Sequence, residues 1–449
     1  MQPKKEHFTF SETDRRSWNL LGQKTEEEEH ALIEWASSFE HCAVLHSNDF
    51  KYPGPGPHRY ELLIAAGSVR QQSFVPGFFD VLEEFRTEVN DWIFGHFAYD
   101  LKNDLENLTT HHPDPVGFGN STFFTPAHLF IKEKGQWYYA PHPENPGHFV
   151  QSLQKLNENL ARFAQNRRST FTGQTPFQLE PVEREEEYHQ ALETIKKHLQ
   201  RGDIYEVNYC TAFEAHDVQI EPIGLFLALN ADTQSPYASY YRIGASHLMG
   251  FSPERFLTTS GTSIWSQPIK GTASASSDPS ALLNDPKEIS ENIMITDLVR
   301  NDLSRTAEKK SVTVLEKCGV YSFKHVHQLI TTVFAKRKSD ATTLDVIRNA
   351  FPMGSMTGAP KISAMQIIDR LEKRRRGLYS GSVGYISPNG DCDFNVVIRS
   401  LQYSEKTKRL HLNVGGAITI ASDIQREYDE VLLKAQAIRN FLAPNDPSQ

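Results

Sequence analysis

The chain has 449 residues, 39% of them hydrophobic, and a formal net charge of −9 at pH 7. A chain of this length can bury enough apolar surface to fold without disulfides or structural metals. Its acidic balance, without a basic stripe, argues against a nucleic-acid-binding protein.

The cysteines and the N-terminus indicate a reduced, soluble protein. The four cysteines include no CxxC pair, so they predict neither a disulfide framework nor a zinc site. The first residues, MQPKKEHFTFSETDRRSWN, lack the apolar core of a secretory signal. No run of about 18 apolar residues occurs, so we expect no membrane-spanning helix. A cytoplasmic protein is the expectation.

The first part of the chain is predicted to contain one capped helix and several strands. Thr25 followed by four glutamates is typical of a helix N-cap with acidic residues in the first turn. The apolar periodicity of that helix continues to residue 39. Strand patterns follow at 42–47, 58–67, 91–101 and 123–141. The last should be a hairpin that turns at Lys134-Gly135.

A polar stretch at 165–182 is the best candidate for a boundary, which divides the chain into regions 1–165 and 183–442. A long helix should run from Glu183 to Gly202. Strands then dominate, separated by helical segments at 285–303, 359–376 and 426–441. Strands and helices without regular βαβ alternation predict an α+β fold with antiparallel sheets.

Two of these helices carry pairs of glutamates on faces that also carry apolar residues. Glu288 and Glu291 share a stripe with Ile295, and Glu427 and Glu430 share a face in the second helix. A lone glutamate on such a face is usually paired with an arginine. Two helices that each present two carboxylates inward would repel each other unless a cation intervenes. Oxygen ligands from few protein groups suit Mg²⁺, so the spacing predicts Mg²⁺ and an anionic substrate.

Three further positions bear on an anionic ligand. Lys270 ends the strand pattern in WSQPIKGT, and on its own it is best interpreted as a solvated lysine. Arg399 lies in the apolar strand pattern VVIRSLQY, where a buried guanidinium needs an anion such as a substrate carboxylate. Gly415 and Gly416 interrupt the strand pattern HLNVGGAITIAS, where backbone amides could approach a carboxylate closely.

Two other motifs are set aside. The stretch GSMTGAPK superficially resembles a phosphate loop, but Lys361 follows Pro360, so GxxxxGK[ST] is not satisfied and nucleotide binding is rejected. Pro360 is better explained as a residue near the start of a helix. His325 and His327 alternate on one strand face. Because the sequence pattern offers no third ligand near them, a role as an oriented or core histidine is favoured over a role as a zinc ligand.

In this order, these pieces resemble the chorismate-utilising enzymes, the family that includes component I of anthranilate synthase and of aminodeoxychorismate synthase. The resemblance is dense between residues 202 and 435, and it continues more weakly through LHS (45–47) and HFAYDL (96–101). The matching stretches are GDIYEVNYC (202–210), FSPERFL (251–257), PIKGT (268–272), KEISENIMITDLVRNDL (287–303), GSMTGAPK (354–361), RRGLYSGSVGY (375–385), VVIRS (396–400) and VGGAITIASDIQREYDEVLLKA (414–435).

The resemblance implies an α+β fold of two packed antiparallel sheets with outer helices and the site between the sheets. It implies Mg²⁺ ligands at Glu291 and Glu430, with Glu288 and Glu427 lining the same site. It implies that chorismate contacts Gly271, Thr272, Tyr379, Arg399, Gly415, Gly416, Ala417 and Lys434. Glu254 and His327 match the family's acid/base glutamate and its nearby histidine. A tryptophan pocket, regulatory in some members and structural in others, corresponds to Ser47, Pro236, Tyr237 and Ala238.

The residue at position 270 distinguishes the branches of the family. At the matching positions anthranilate synthases have a sequence similar to PIAGT, whereas aminodeoxychorismate synthases have a sequence similar to PIKGT. The resemblance therefore implies that Lys270 is the nucleophile that forms a covalent adduct with chorismate. Ammonia would displace it to give 4-amino-4-deoxychorismate for p-aminobenzoate and folate synthesis. The ammonia is expected from a glutamine amidotransferase on a separate chain, since no GxCxG elbow is found. Whether burial and Mg²⁺ lower the pKa of Lys270 more than Glu254 raises it is not determined by the sequence.

Two departures from the family pattern stand out: Glu206 replaces a common glutamine, and Ala417 stands where a third glycine often occurs. The alternative enzyme is anthranilate synthase component I, which would release pyruvate and an aromatic amine. An isochorismate or salicylate synthase would use water as the nucleophile. The non-enzymatic alternative is a catalytically inactive paralogue that binds a partner or tryptophan. Such a paralogue would have lost a catalytic or metal-binding position, but Lys270, Glu254 and Glu291 are all present.

Overall fold

A computed structural model of the chain describes residues 18–144, except 52–53, 58–59, 107 and 111, and residues 177–442, together with positions 15 and 158. Most of the predicted boundary at 165–182 lies outside these ranges. The division into regions 1–165 and 183–442 therefore stays a prediction.

Each predicted helix is present near its expected position, whereas the helices at Phe78–Val89, Lys102–Leu105, Pro222–Thr233 and Thr343–Ala350 were not predicted. Thr25 and Glu28 form a reciprocal capping box at the start of the first helix, with Glu28 N donating to Thr25 Oγ1 at 3.2 Å and Thr25 N donating to Glu28 Oε2 at 2.8 Å. In chain order the α-helices described are α1 (Glu26–Ser37), α2 (Phe78–Val89), α3 (Lys102–Leu105), α4 (Glu185–Arg201), α5 (Pro222–Thr233), α6 (Pro286–Ser304), α7 (Thr343–Ala350), α8 (Lys361–Leu371) and α9 (Ile424–Leu442). In the parts of the chain that are described, no helix has both the length and the apolar character needed to cross a membrane.

Many of the strands follow one another without a helix between them, and Lys134-Gly135 forms the predicted hairpin turn, with φ of 51° and 73°. The strands described are β1 (Asn19–Gly22), β2 (His41–His46), β3 (Leu62–Ser73), β4 (Ile93–Phe97), β5 (Ser121–Glu133), β6 (Gln136–Pro141), β7 (Glu180–Pro181), β8 (Glu206–Ala215), β9 (Tyr237–Ile243), β10 (Ser246–Ser252), β11 (Arg255–Ser260), β12 (Ser263–Gln267), β13 (Ile269–Ser274), β14 (Thr313–Ser322), β15 (Val326–Lys336), β16 (Gly358–Ala359), β17 (Ser382–Ile386), β18 (Cys392–Asn395), β19 (Ser400–Ser404) and β20 (Arg409–Thr419).

The strands pair antiparallel into two sheets that share β5. The first sheet runs β6-β5-β3-β2-β9-β10-β19-β20-β8, with β1 beside β6 and with β7 and β16 beside β8. The second sheet runs β5-β4-β17-β18-β11-β12-β15, with β13 and β14 also paired to β15. Strands from both predicted regions of the chain therefore share the same ladders.

Alternation along the strands sends side chains to different cores. On β2, Cys42 and Val44 pack in a core under α1, α4 and α5, whereas Ala43 and Leu45 pack in a second core with residues of both sheets. A third core joins the second sheet to α2, α6 and α7. The predicted α+β fold, with packed antiparallel sheets and outer helices, is confirmed.

One helix is shorter than predicted. The segment expected to be helical over 359–376 ends as a helix at Leu371, because the basic residues that follow turn away to form separate ion pairs. These pairs are Lys373–Glu187 at 3.9 Å, Arg374–Glu214 at 3.0 Å, Arg375–Asp100 at 2.9 Å and Arg376–Glu372 at 2.6 Å. Tertiary ion pairs here override the helical pattern.

Candidate active site

A buried ion pair between Lys270 and Glu206 joins the two sheets. Lys270 lies on β13 of the second sheet, and Glu206 lies on β8 of the first sheet. Lys270 Nζ is 2.9 Å from Glu206 Oε1, and the two side chains are 11% and 1% exposed. The prediction of a solvated lysine, made from the residue alone, is therefore wrong for Lys270.

The surroundings of Lys270 determine the protonation state of its amine. Burial lowers the pKa of the Lys270 amine, but Glu206, Glu291 and Glu254 raise it, and together the carboxylates hold the pKa above its usual value. In this arrangement Lys270 is an ammonium ion. It must lose a proton before it can act as a nucleophile.

Glu254 is the second ionisable group of the site. It precedes β11 and is 4% exposed. Burial raises the pKa of its carboxyl to about 7, although the Ser355 hydroxyl, which donates to Glu254 Oε1 at 2.8 Å, and the charges of Lys270 and Arg399 favour the carboxylate. A carboxyl with a pKa near neutrality can both donate and accept a proton at the pH of the cell.

Arg399 lies in the connection between β18 and β19, not in a strand, and its φ is 49°. The expectation of a strand residue was therefore wrong, because the left-handed turn interrupts the apolar alternation. Surrounding protein lowers the pKa of the Arg399 guanidinium, although the side chain is accessible to solvent. Within the part of the chain that the structure describes, no carboxylate pairs with the Arg399 guanidinium. Arg399 therefore offers a charged donor to an anion that approaches from solvent.

Gly415, Gly416 and Ala417 lie in the middle of β20. The strand is continuous and pairs with β8 through this stretch, so the expected break at the glycines is wrong. A Cβ at Gly415 would lie 2.5 Å from Cys210 Sγ, which explains why a glycine is needed there. Lys434 Nζ of α9 donates to Gly415 O at 3.0 Å and lies 2.8 Å from Glu430 Oε1. The predicted glycine and lysine positions are thus brought together.

The four predicted metal-site glutamates come from α6 and α9, whose N-terminal turns approach each other. Glu291 and Glu427 are buried, at 7% and 4% exposure, whereas Glu288 is half-buried and Glu430 is exposed. Lys287 Nζ lies 3.5 Å from Glu427 Oε1 and 3.9 Å from Glu291 Oε1. The ammonium of Lys287 therefore lies between carboxylates of the two helices.

The electrostatics of these glutamates differ. Burial raises the pKa of Glu291 to about 7 and also raises the pKa of Glu288. Burial acts in the same direction on Glu430, but Lys434, together with Lys287 and Lys270, outweighs it, so the pKa of that carboxyl is lowered.

The four glutamates supply only oxygen donors, the type of ligand that Mg²⁺ prefers. In the described residues, no group of three or more acidic, histidine or cysteine side chains is arranged to hold a metal ion as it stands. Oε1 of Glu291 is nevertheless buried without a hydrogen-bond partner in that part of the chain. An all-carboxylate set with an unsatisfied buried oxygen matches the oxygen ligands that Mg²⁺ prefers. The donors fit such an ion chemically.

The remaining predicted substrate residues surround this region. Gly271 has a φ of 98°, and a Cβ there would lie 3.1 Å from Glu288 Oε2. Thr272 is exposed opposite Gln328 of β15. Tyr379 is buried, and burial raises the pKa of its phenol.

His327 lies on β15, opposite Ala273 of β13. Its Nδ1 is 2.8 Å from Ser322 Oγ, and its buried Nε2 has no hydrogen-bond partner among the described residues. No hydrogen bond joins it to Glu254, so the structure does not bring the two predicted acid/base residues into contact. His325 is exposed beside Asp232, away from a third ligand.

The positions of the predicted tryptophan pocket also lie together. β2 pairs with β9 so that His46 is opposite Ala238, which brings Ser47 close to Tyr237. Ser47 is buried and donates to Glu61 O at 3.0 Å. Pro236, Tyr237 and Ala238 are buried as well. Whether tryptophan binds there stays a prediction.

Sequence reasoning missed two residues that shape the site. Ser355, which holds Glu254, lies in the GSMTGAPK stretch, and only its place in that motif could have indicated a role. Asn292 donates to Lys270 O at 3.3 Å and to Leu329 O at 3.2 Å, and it thereby ties α6 to β13 and β15. The rejected phosphate-loop lysine, Lys361, pairs with Asp302 at 2.7 Å.

Comparison with known proteins places this site in a family. The family described as chorismate binding enzyme matches residues 57–440 of the chain. The chain belongs to the chorismate-binding enzymes.

Relatives of this chorismate-binding enzyme come from two branches. Aminodeoxychorismate synthase component 1 of Klebsiella aerogenes is 38% identical over 264 residues, which are 57% of this chain and 58% of that protein. Anthranilate synthase component 1 of Cereibacter sphaeroides is 29% identical over 377 residues, 77% of this chain and 72% of that protein. The crystal structure of anthranilate synthase component I from Streptococcus pneumoniae superposes with a TM-score of 0.74 at 25% identity, over 87% of this chain and 94% of that one. The match to the Klebsiella protein thus spans only 58% of its length.

Proposed function

We propose that this chorismate-binding enzyme converts chorismate and ammonia into 4-amino-4-deoxychorismate and water, as a transferase of the aminodeoxychorismate synthase component I type. The observation that carries the proposal is a buried amine, Lys270, near Glu254, a carboxyl on which the charges of both Lys270 and Arg399 act. Identity of 38% to the Klebsiella aerogenes synthase component supports the same branch. The product would serve p-aminobenzoate and folate synthesis.

Chorismate carries two carboxylates, so its binding needs cationic and amide donors. Arg399 supplies a guanidinium that forms no ion pair with a carboxylate of the described residues, so it would be available to a substrate carboxylate. Backbone amides in the stretch Gly415, Gly416 and Ala417 would donate hydrogen bonds to a substrate carboxylate, at the point where β20 lies beside Lys434. Gly271, Thr272 and Tyr379 would complete the walls. Together these groups would fix the ring over Lys270.

Lys270 would be the nucleophile. After its ammonium gives a proton to solvent, the Nζ lone pair forms a bond to C2 of the ring, both conjugated ring double bonds shift, and the C4–oxygen bond breaks. Ammonia then forms a bond to C4, both double bonds shift back, and the C2–Nζ bond breaks, which returns its electron pair to the Lys270 amine. The enolpyruvyl group stays attached, so no pyruvate is released.

Glu254 would move the protons. Its carboxyl, with a pKa raised to about 7 by burial, is protonated often enough to donate to the departing C4 hydroxyl, which leaves as water. The resulting carboxylate then accepts a proton from the ammonium formed when ammonia adds. Ser355 holds Oε1 in place through both steps, and His327 would assist from β15.

Mg²⁺ would be held by Glu291 and Glu430, with Glu288 and Glu427 lining the same site. When bound, it would neutralise the ring carboxylate and increase the electron demand of the ring. The ammonia would come from a glutamine amidotransferase subunit on a separate chain, or from free ammonium in vitro.

Incubation of the purified chain with chorismate, Mg²⁺ and ammonium at mildly alkaline pH tests the proposal, with products identified by chromatography and mass. Aminodeoxychorismate without pyruvate is expected. Anthranilate with pyruvate would assign the chain to the anthranilate branch instead. Isochorismate or no product at all would also contradict the proposal.

A further inference from the structure

The contact between Lys270 and Glu206 has a role of its own. We propose that Glu206 is a positioning residue that holds Lys270 as a localised ammonium in the enzyme without substrate, so that residue 206 sets the pH at which Lys270 becomes a nucleophile. The inference rests on the proposed function only in that it treats Lys270 as the nucleophile of that reaction.

The backbone holds Glu206 rigidly. Its strand, β8, pairs on one side with β20, where Glu206 is opposite Thr419, and on the other side with β16, where it is opposite Ala359. The neighbouring Tyr205 N donates to Ala359 O at 2.7 Å. Pairing on both edges fixes the backbone of Glu206, and burial of its side chain, which is 1% exposed, restricts the carboxylate that contacts Nζ.

Among the described residues, the Glu206 carboxylate forms its ion pair with Lys270. Its side chain is 1% exposed, and its second oxygen, Oε2, has no hydrogen-bond partner in the described part of the chain. Breaking the contact would leave a buried charge without compensation, which is strongly unfavourable. The ion pair is therefore the favoured arrangement before substrate enters.

Among the described residues, the charged groups that act most strongly on Lys270 are acidic, although the Arg399 guanidinium also lies near Glu254. Glu206 faces it from β8, Glu254 from the turn before β11, and Glu291 from α6. Glu288 and Glu430 act from farther along α6 and from α9. Of these carboxylates only Glu206 lies within ion-pair distance, at 2.9 Å. Residue 206 should therefore have the largest single effect on Lys270.

Cyanate, which carbamylates neutral amines, tests the inference without substrate and with a chelator present. The carbamylation of Lys270 is followed by peptide mass spectrometry across pH, with exposed Lys309 as an internal reference. In the wild-type chain, the pH of half-maximal carbamylation should be no lower for Lys270 than for Lys309. In Glu206→Gln, the pH of half-maximal carbamylation of Lys270 should fall by about one pH unit or more, which corresponds to about tenfold faster carbamylation at pH 8.

Two variants serve as controls. Asp369→Asn removes the partner of another buried lysine, Lys102, at 2.8 Å, and it should leave the profile of Lys270 unchanged. Glu206→Asp keeps the charge on a shorter side chain and should restore most of the wild-type profile. Should Glu206→Gln fail to fold, as judged by loss of a cooperative urea transition, the wild-type comparison with Lys309 and the aspartate variant decide the question.

An unchanged profile of Lys270 in folded Glu206→Gln would overturn the inference, and so would a wild-type half-point below that of Lys309. In the amination assay, the acidic limb of kcat against pH should move to lower pH in Glu206→Gln, which a purely structural role would not produce. A shift in carbamylation without any aminodeoxychorismate from either protein would reject the proposed function but retain the pairing of the two residues.

Discussion

Lys270 Nζ and Glu206 Oε1 lie 2.9 Å apart, and this pair joins β13 of the second sheet to β8 of the first. The candidate nucleophile is thus held as a cation by the structure that positions it. Most activated lysines instead have a lowered pKa. The ammonium must therefore lose a proton before Lys270 can act as the proposed nucleophile.

Replacement of Lys270 should abolish amination. Lys270→Ala combined with Glu206→Gln avoids a buried unpaired carboxylate, and its rate should fall by about 10⁴-fold or more, as removal of a nucleophile does in other enzymes. Aminodeoxychorismate formation measured by chromatography checks this. Lys309→Ala, at an exposed position, should retain full activity. A double variant that aminates chorismate at the wild-type rate would exclude Lys270 as the nucleophile.

Glu254 should make stability depend on pH. Burial raises the pKa of its carboxyl from 4.5 to about 7, so between these values the folded state binds more protons than the unfolded state. Its contribution is fully present below pH 4.5 and is lost as pH rises through 7. The free energy of unfolding of the wild type relative to Glu254→Gln should therefore fall by about 3 kcal/mol across this range. Urea unfolding at several pH values measures it, and parallel curves for the two proteins would disagree with the assignment.

Arg399 should determine affinity for chorismate. Loss of a charge-assisted hydrogen bond costs about 1.5–3 kcal/mol, so Arg399→Met should raise the dissociation constant by about 10- to 100-fold. Arg399→Lys should lie in between, since lysine cannot form the bidentate contact. Titration calorimetry with chorismate measures both. Arg409→Met, at an exposed position on β20, is the matched control. Equal affinities in all variants would place the substrate carboxylate elsewhere.

Glu291 should be needed for Mg²⁺ binding. Its buried Oε1 lacks a hydrogen-bond partner in the described residues, and the Lys287 ammonium lies 3.9 Å from it, so a directly bound metal ion would be a closer partner. Glu291→Gln should weaken Mg²⁺ binding, measured calorimetrically without substrate, by about tenfold or more. Asp297→Asn lies on the same helix, where Asp297 pairs with Arg300 at 2.6 Å near the surface, and it should bind Mg²⁺ as the wild type does. Identical affinities in the two variants would argue against a metal at Glu291.

The sequence by itself determined the local elements of this protein. The capping box at Thr25 and Glu28, the hairpin at Lys134-Gly135 and the inward orientation of Glu291 on α6 all follow from interactions between residues a few positions apart. Such short-range periodicities and caps are encoded directly in the order of residues. The family motifs added the residues that should bind chorismate.

Only the tertiary structure decided which distant side chains meet. Glu206 reaches Lys270, Ser355 reaches Glu254, and Lys361 pairs with Asp302, because strand order and register bring these segments together. The charge of Lys270 depends on how many carboxylates surround it and how deeply they are buried. Neither quantity is a property of any short stretch of sequence, since burial and electrostatics sum over residues from both sheets and from the helices outside them.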